Sequence, residues 1–183
     1  LFNGTAGYGI RSDLVQFYQT PGGSMSPTLL PGDYILVNKR AYLIRPPSRD
    51  DLIVFVYPKD ETKDFIKRVV AVEGDRGHIR DKQLFVNGEA AENTYARYAD
   101  RGGVTPGLRD NYPQPLPDGS VEPMTVPPGK LFVLGDNRDH SHDSRFWGFV
   151  DTQEVKGKAF LIYWSWDGRE RWIRWERLGS LIY

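Results

Sequence analysis

The chain has 183 residues, long enough to bury a core without covalent staples. Its 24 Lys and Arg balance 24 Asp and Glu, so no positive excess exists to hold a phosphate backbone, which argues against general nucleic-acid binding while leaving local basic patches open. The absence of Cys excludes thiolate nucleophiles, zinc–cysteine sites and disulfides.

The elements follow in chain order. Nineteen glycines and 13 prolines favour short strands and turns over long helices. Asp33 to Asn38, after the turn Leu30-Pro31-Gly32, reads as a strand. Leu52 to Tyr57 is a continuous β-branched and aromatic run, too short for a helix, and reads as a buried strand. Asp64 to Val72 is the next strand, and Gln83 to Val86 runs into the hairpin signal Asn87-Gly88. Thr105 to Gly129 is crowded with proline and reads as irregular. Leu131 to Leu134 is a strand ending at Gly135-Asp136, and Lys158 to Trp166 one ending at Asp167-Gly168. The tail Arg169 to Tyr183 fits either a strand or a surface segment. The whole predicts an all-β fold of mixed antiparallel sheets: a core from 20–75 and 129–183, an inserted smaller β lobe at 76–128, and an N-terminal segment 1–19. The longest apolar runs, Leu52 to Tyr57 and Ala159 to Trp164, fall far short of the ~20 residues of a membrane helix. The first residue is Leu rather than Met, so the chain is expected to be a piece of a longer protein.

Three segments are dense in chemistry. Gly22-Gly23-Ser24-Met25-Ser26-Pro27 sets a hydroxyl after two glycines, which suits an exposed nucleophile and equally suits an ordinary turn. Lys67 shares a strand face with Phe65, Val69 and Ala71. Burial there lowers an amine's pKa and makes it a general base, whereas an edge position lets it reach water. Gly135 to Arg145 is almost wholly polar directly after an apolar strand. Asp143 and Arg145 would share a strand face as an ion pair, and Ser141 would orient a lysine amine. His140 and His142 form an i, i+2 pair, but no third histidine lies nearby, so no metal site is assigned. No P-loop, G-x-G-x-x-G or G-x-S-x-G pattern is present, and no cofactor is expected.

Together these segments resemble bacterial type I signal peptidases. Gly23 to Leu29 with Gly32-Asp33 is similar to their serine box, Phe65 to Val70 with Gly74-Asp75 to their lysine box, and Gly135 to Arg145 with Trp147-Gly148 to their third box. The resemblance spans about Thr20 to Trp166 and is weakest between the second and third boxes. It implies a Ser-Lys serine protease that removes signal peptides from exported preproteins after small-x-small (Ala-x-Ala) motifs. By motif match Ser24 is the nucleophile and Lys67 the general base. Ser141 holds the Lys67 amine, and Asp143 with Arg145 supports it. The Ser24 N–H supplies one oxyanion donor. Gly22 stands where many relatives carry a second, hydroxyl donor. Met25, Leu29, Ile35, Phe65 and Ile66 line shallow substrate pockets, and the preprotein binds as an added strand. The implied setting is the bacterial cytoplasmic membrane, reached through an anchor, with the catalytic region on the outer side.

Two other functions fit parts of the pattern. One is a self-cleaving repressor-type Ser-Lys protease cutting at Ala6-Gly7, although no helix-turn-helix precedes that site and the third box points away from it. The other is a non-catalytic β-rich peptide-binding module, against which the intact Ser24 and Lys67 speak.

Overall fold

The computed structural model describes residues 14–92, 94–98, 110–114, 116–117, 120 and 122–183. Its strands are β1 (Val15–Gln19), β2 (Asp33–Asn38), β3 (Leu52–Val56), β4 (Asp64–Val72), β5 (Arg76–Arg80), β6 (Gln83–Val86) and β7 (Glu89–Ala90). They continue with β8 (Met124–Thr125), β9 (Lys130–Leu134), β10 (Val150–Asp151), β11 (Val155–Asp167), β12 (Trp172–Ile173) and β13 (Ser180–Leu181). One short helix, α1 (Ser144–Trp147), lies between β9 and β10. The fold is all-β.

A large sheet runs in the order β1-β2-β11-β3-β4-β9-β10, with β12 and β13 also against β11. A four-stranded sheet, β7-β6-β5-β8, is built wholly from the chain between β4 and β9. The named strand pairs are antiparallel.

Burial explains the apolar runs. β3 lies between β11 and β4, and both of its faces are covered. Leu52 and Val54 enter one cluster with Met25, Leu29, Ile35, Val37 and Ile66. Ile53 and Phe55 enter another with Val69, Val133, Trp147 and Val150. That split is the period-two alternation of a strand. A third cluster joins the sheets, packing Val70, Ala71, Phe132 and Leu134 on Ile79, Leu84, Val86 and Val126.

Several elements differ from the sequence expectation. β11 starts at Val155 rather than Lys158. Gly157 sits inside it because a Cβ there would lie 2.4 Å from the Asn38 carbonyl oxygen, where β2 crosses close. The tail is neither one strand nor a plain surface segment. It forms β12, a 3₁₀ turn at Trp175–Arg177 and β13. The proline-rich stretch lies partly outside the described residues, but it contributes β8 and a bridge from Tyr112 to Ile79.

Candidate active site

Ser24 stands in the turn between β1 and β2. Local bonds fold this turn, with Ser26 N–H donating to the Gly23 carbonyl at 3.1 Å and Leu29 N–H to the Met25 carbonyl at 2.9 Å. Asp33, fully buried at the start of β2, secures its far end. Its carboxylate accepts the Leu30 N–H at 2.8 Å, the Ser165 hydroxyl at 2.6 Å and the Arg177 guanidinium at 2.5 Å. Arg177 also donates to the Thr28 carbonyl at 2.9 Å, so the tail braces the serine turn.

Lys67 comes from the middle of β4, where it is 4% exposed. Its Nζ lies 2.8 Å from Ser24 Oγ and donates to the Ile66 carbonyl at 3.0 Å. Burial pushes this amine down to about 8, against the opposing pull of the Asp143 and Asp136 charges. A neutral amine against a half-buried hydroxyl can take the hydroxyl proton.

One residue further along β4, Arg68 is fully buried. Its Nε and NH2 grip Asp136 at 2.9 and 2.8 Å, and its NH1 donates to the Asp50 carbonyl at 2.8 Å. The guanidinium carbon also lies 3.8 Å from the Tyr95 ring centroid. Asp136 accepts the Thr28 hydroxyl at 2.6 Å as well. One carboxylate therefore joins the serine turn, β4 and the loop after β9. This hub was not foreseen in the sequence; its signal is an arginine inside a strand that shares its face with Ile66 and Val70.

Asp143 and Arg145 make the expected ion pair, Nε to Oδ1 at 2.8 Å and NH2 to Oδ2 at 2.9 Å, with both residues buried. The geometry is not that of a strand. Asp143 caps the N-terminus of α1 and accepts the Arg145 N–H, while its other oxygen accepts the Gly135 N–H at 3.0 Å. Arg145 reaches on to the Arg138 carbonyl at 2.5 Å. The pair thus shapes the loop that carries Asp136.

Ser141 is 4% exposed, and among the described residues its hydroxyl has no hydrogen-bond partner, the Lys67 amine included. It packs on Gly135, where a Cβ would stand 2.2 Å from Ser141 Oγ and 2.5 Å from the Ser24 carbonyl oxygen. Met25, Leu29, Ile35 and Ile66 belong to a buried core cluster. Phe65 is half-buried, stacked on Tyr57 at 4.3 Å, and its ring centroid is 5.4 Å from Lys67 Nζ. His142 meets the Tyr57 hydroxyl at 3.2 Å. Among the described residues, no group of three or more His, Cys, Asp or Glu is placed to hold a metal ion.

A serine hydroxyl 2.8 Å from a buried lysine amine whose pKa burial has lowered is an arrangement that a serine hydrolase with an amine base can use. The family model described as signal peptidase, peptidase S26, matches residues 3–164. Signal peptidase I of Aquifex aeolicus (strain VF5) is 38% identical over 203 residues, covering 85% of this chain and 78% of that one. Signal peptidase I of Pseudomonas fluorescens is 39% identical over 194 residues, covering 86% and 67%. A solved signal peptidase I from Enterococcus faecalis V583 is 31% identical with a TM-score of 0.49, covering 62% of this chain and 97% of that one. The chain belongs to the peptidase S26 signal peptidase family, and it is a signal peptidase, a serine endopeptidase.

If Ser24 is the nucleophile, Gly135→Ala is expected to slow preprotein cleavage by about 100-fold or more, because the added methyl presses on the Ser24 carbonyl oxygen and on Ser141. Cleavage rates measured beside the melting temperature check this, and the rate is expected to fall far more than the stability.

Proposed function

We propose that Ser24 is the nucleophile and Lys67 the general base of this endopeptidase. Ser24 Oγ attacks the scissile carbonyl while the neutral Lys67 amine takes its proton. Lys67 then gives that proton to the leaving amine, and water hydrolyses the acyl-enzyme with the same base. The Ser24 N–H faces the developing oxyanion. The observation that carries this reading is the 2.8 Å contact between a hydroxyl and a buried lysine amine. Asp143 and Arg145 hold the loop behind the dyad. Ser141 takes a packing place against Gly135 rather than a bond to the amine.

The substrate is an exported preprotein, bound extended. β1 pairs with β2 alone among the described strands, and β4 pairs with β9 only from Arg68 onward, which leaves strand edges beside the dyad. Phe65, half-buried beside Lys67, lines a shallow apolar floor, and Met25, Leu29, Ile35 and Ile66 back it from the core cluster. A shallow floor accepts small side chains and rejects large ones by overlap. The core comprises 20–75 and 129–183 together with β1 from the expected N-terminal segment 1–19, which pairs with β2, and 76–128 is an inserted lobe. The enzyme works at the bacterial cytoplasmic membrane through an anchor, with this region on the outer side; among the described residues no helix is long and apolar enough to cross a membrane. The alternative self-cleavage at Ala6-Gly7 concerns residues outside those described, and no observation favours it.

The test is cleavage of a preprotein with Ala at −1 and −3 in detergent or lipid, with products read by mass. Cutting directly after the −1 Ala is expected, with at least about 100-fold loss when −1 is Phe. Cutting elsewhere, or indifference to the −1 residue, would overturn the substrate reading.

A further inference from the structure

We infer that Asn137 is a positioning residue that aims the Ser24 N–H at the oxyanion; this rests on Ser24 being the nucleophile. Asn137 holds the two carbonyls that flank the nucleophile. Its side-chain Nδ2 donates to the Gly23 carbonyl at 3.0 Å, and its backbone N–H donates to the Ser24 carbonyl at 3.1 Å. The Gly23 carbonyl and the Ser24 N–H belong to one peptide plane, and in a trans peptide they point in opposite directions. Fixing the carbonyl toward Asn137 therefore turns the Ser24 N–H away from it. The second bond fixes the following peptide, so Ser24 is held on both sides while its hydroxyl stays with Lys67.

Asn137 is itself anchored from behind. Arg97 N–H donates to the Asp136 carbonyl at 2.7 Å, and Arg138 N–H donates to the Arg97 carbonyl at 2.9 Å, a parallel bridge between Arg97 and Asn137. On the other side Asp136 is gripped by Arg68. Within the turn the Gly23 carbonyl also accepts the Ser26 N–H at 3.1 Å, a bond that moves with the turn, whereas Asn137 ties the same carbonyl to the loop after β9. An oxyanion donor acts only when it is pre-aimed at the charge that develops in the transition state.

The experiment compares wild type, Asn137→Ala, the isosteric Asn137→Asp and Ser24→Ala with a preprotein substrate. Both Asn137 variants keep the backbone N–H and lose the Nδ2 donor. The expected result is a kcat lowered about 10- to 100-fold with KM within about twofold. A peptide aldehyde carrying the cleavage sequence supplies the second readout. Ser24 Oγ adds to its carbonyl carbon, the π electrons move to the carbonyl oxygen, and the hydroxyl proton passes to Lys67. Its affinity is expected to fall by the same factor as kcat, while the affinity of the cleaved signal peptide stays unchanged. A kcat within threefold of wild type in both variants, or a loss carried by KM and shared by the cleaved peptide, would overturn the inference. Cleavage that persists in Ser24→Ala would instead overturn the nucleophile assignment, which separates the two failures.

Discussion

Lys67→Met is expected to lower kcat/KM by about 10,000-fold or more while making the folded chain more stable at neutral pH. The first effect follows from the proposed role of Lys67, whose amine lies 2.8 Å from Ser24 Oγ, as the base that accepts the Ser24 proton. The second follows from the cost of burying an amine, whose pKa burial has pushed from 10.5 to about 8. Below pH 8 the lysine is charged in both the folded and unfolded chain, and the folded state bears the full penalty. Between 8 and 10.5 the folded chain sheds its proton while the unfolded chain keeps it, so wild-type stability rises with pH across this window. Above 10.5 both states are neutral and the penalty is gone. Methionine is unbranched, of similar length and apolar, so it fills the same space without that charge. Thermal melts of both proteins from pH 6 to 10.5 are expected to show the Met variant ahead by a few kcal/mol at the acid end, with the gap closing as pH climbs past 8. A wild type that is the more stable protein at pH 7 would show that the Lys67 charge is well solvated.

Asp136→Ala is expected to cost about 3–5 kcal/mol, because it leaves the Arg68 guanidinium fully buried without its counter-charge. For a domain of this size that corresponds to a melting temperature roughly 10 °C lower. The Thr28 hydroxyl loses its acceptor in the same step, so the serine turn loosens and activity falls with stability. The pair Arg68→Met with Asp136→Leu removes both charges together. It is expected to be less destabilised than either single change, since no unpaired charge remains. Equal or additive losses would mean that the contact is packing rather than charge pairing.

Much of the scaffold was legible because the central strands are covered on both faces and read as unbroken apolar runs. Leu52 to Val56 and Leu131 to Leu134 needed only their β-branched and aromatic content. β1, β5 and the short β7, β8, β10, β12 and β13 were not legible. They hold two to five residues each, and partners set elsewhere in the chain define them. α1 was missed because four residues carry no helical period; what makes it is the cap supplied by Asp143. In the site, the Ser24, Lys67 and Asp143–Arg145 juxtapositions followed from the three boxes. The bonds from Asn137 and Arg68 did not, since both join segments far apart in sequence through backbone or buried polar contacts that no local pattern encodes. The pocket residues illustrate the same limit. An apolar residue beside a catalytic group reads alike as floor or as core, and Met25, Leu29 and Ile35 lie in the core cluster.

The pH dependence of kcat/KM for preprotein cleavage tests the dyad most directly, since it reports the ionisation of the free enzyme's base. The wild-type rate is expected to rise about tenfold per pH unit up to about 8 and to level off above it, as Lys67 loses its proton. Ser24→Ala, run alongside, is expected to be inactive at every pH. A wild-type profile flat from pH 6 to 9, or cleavage surviving in Ser24→Ala, would contradict a Ser24 nucleophile served by a neutral Lys67.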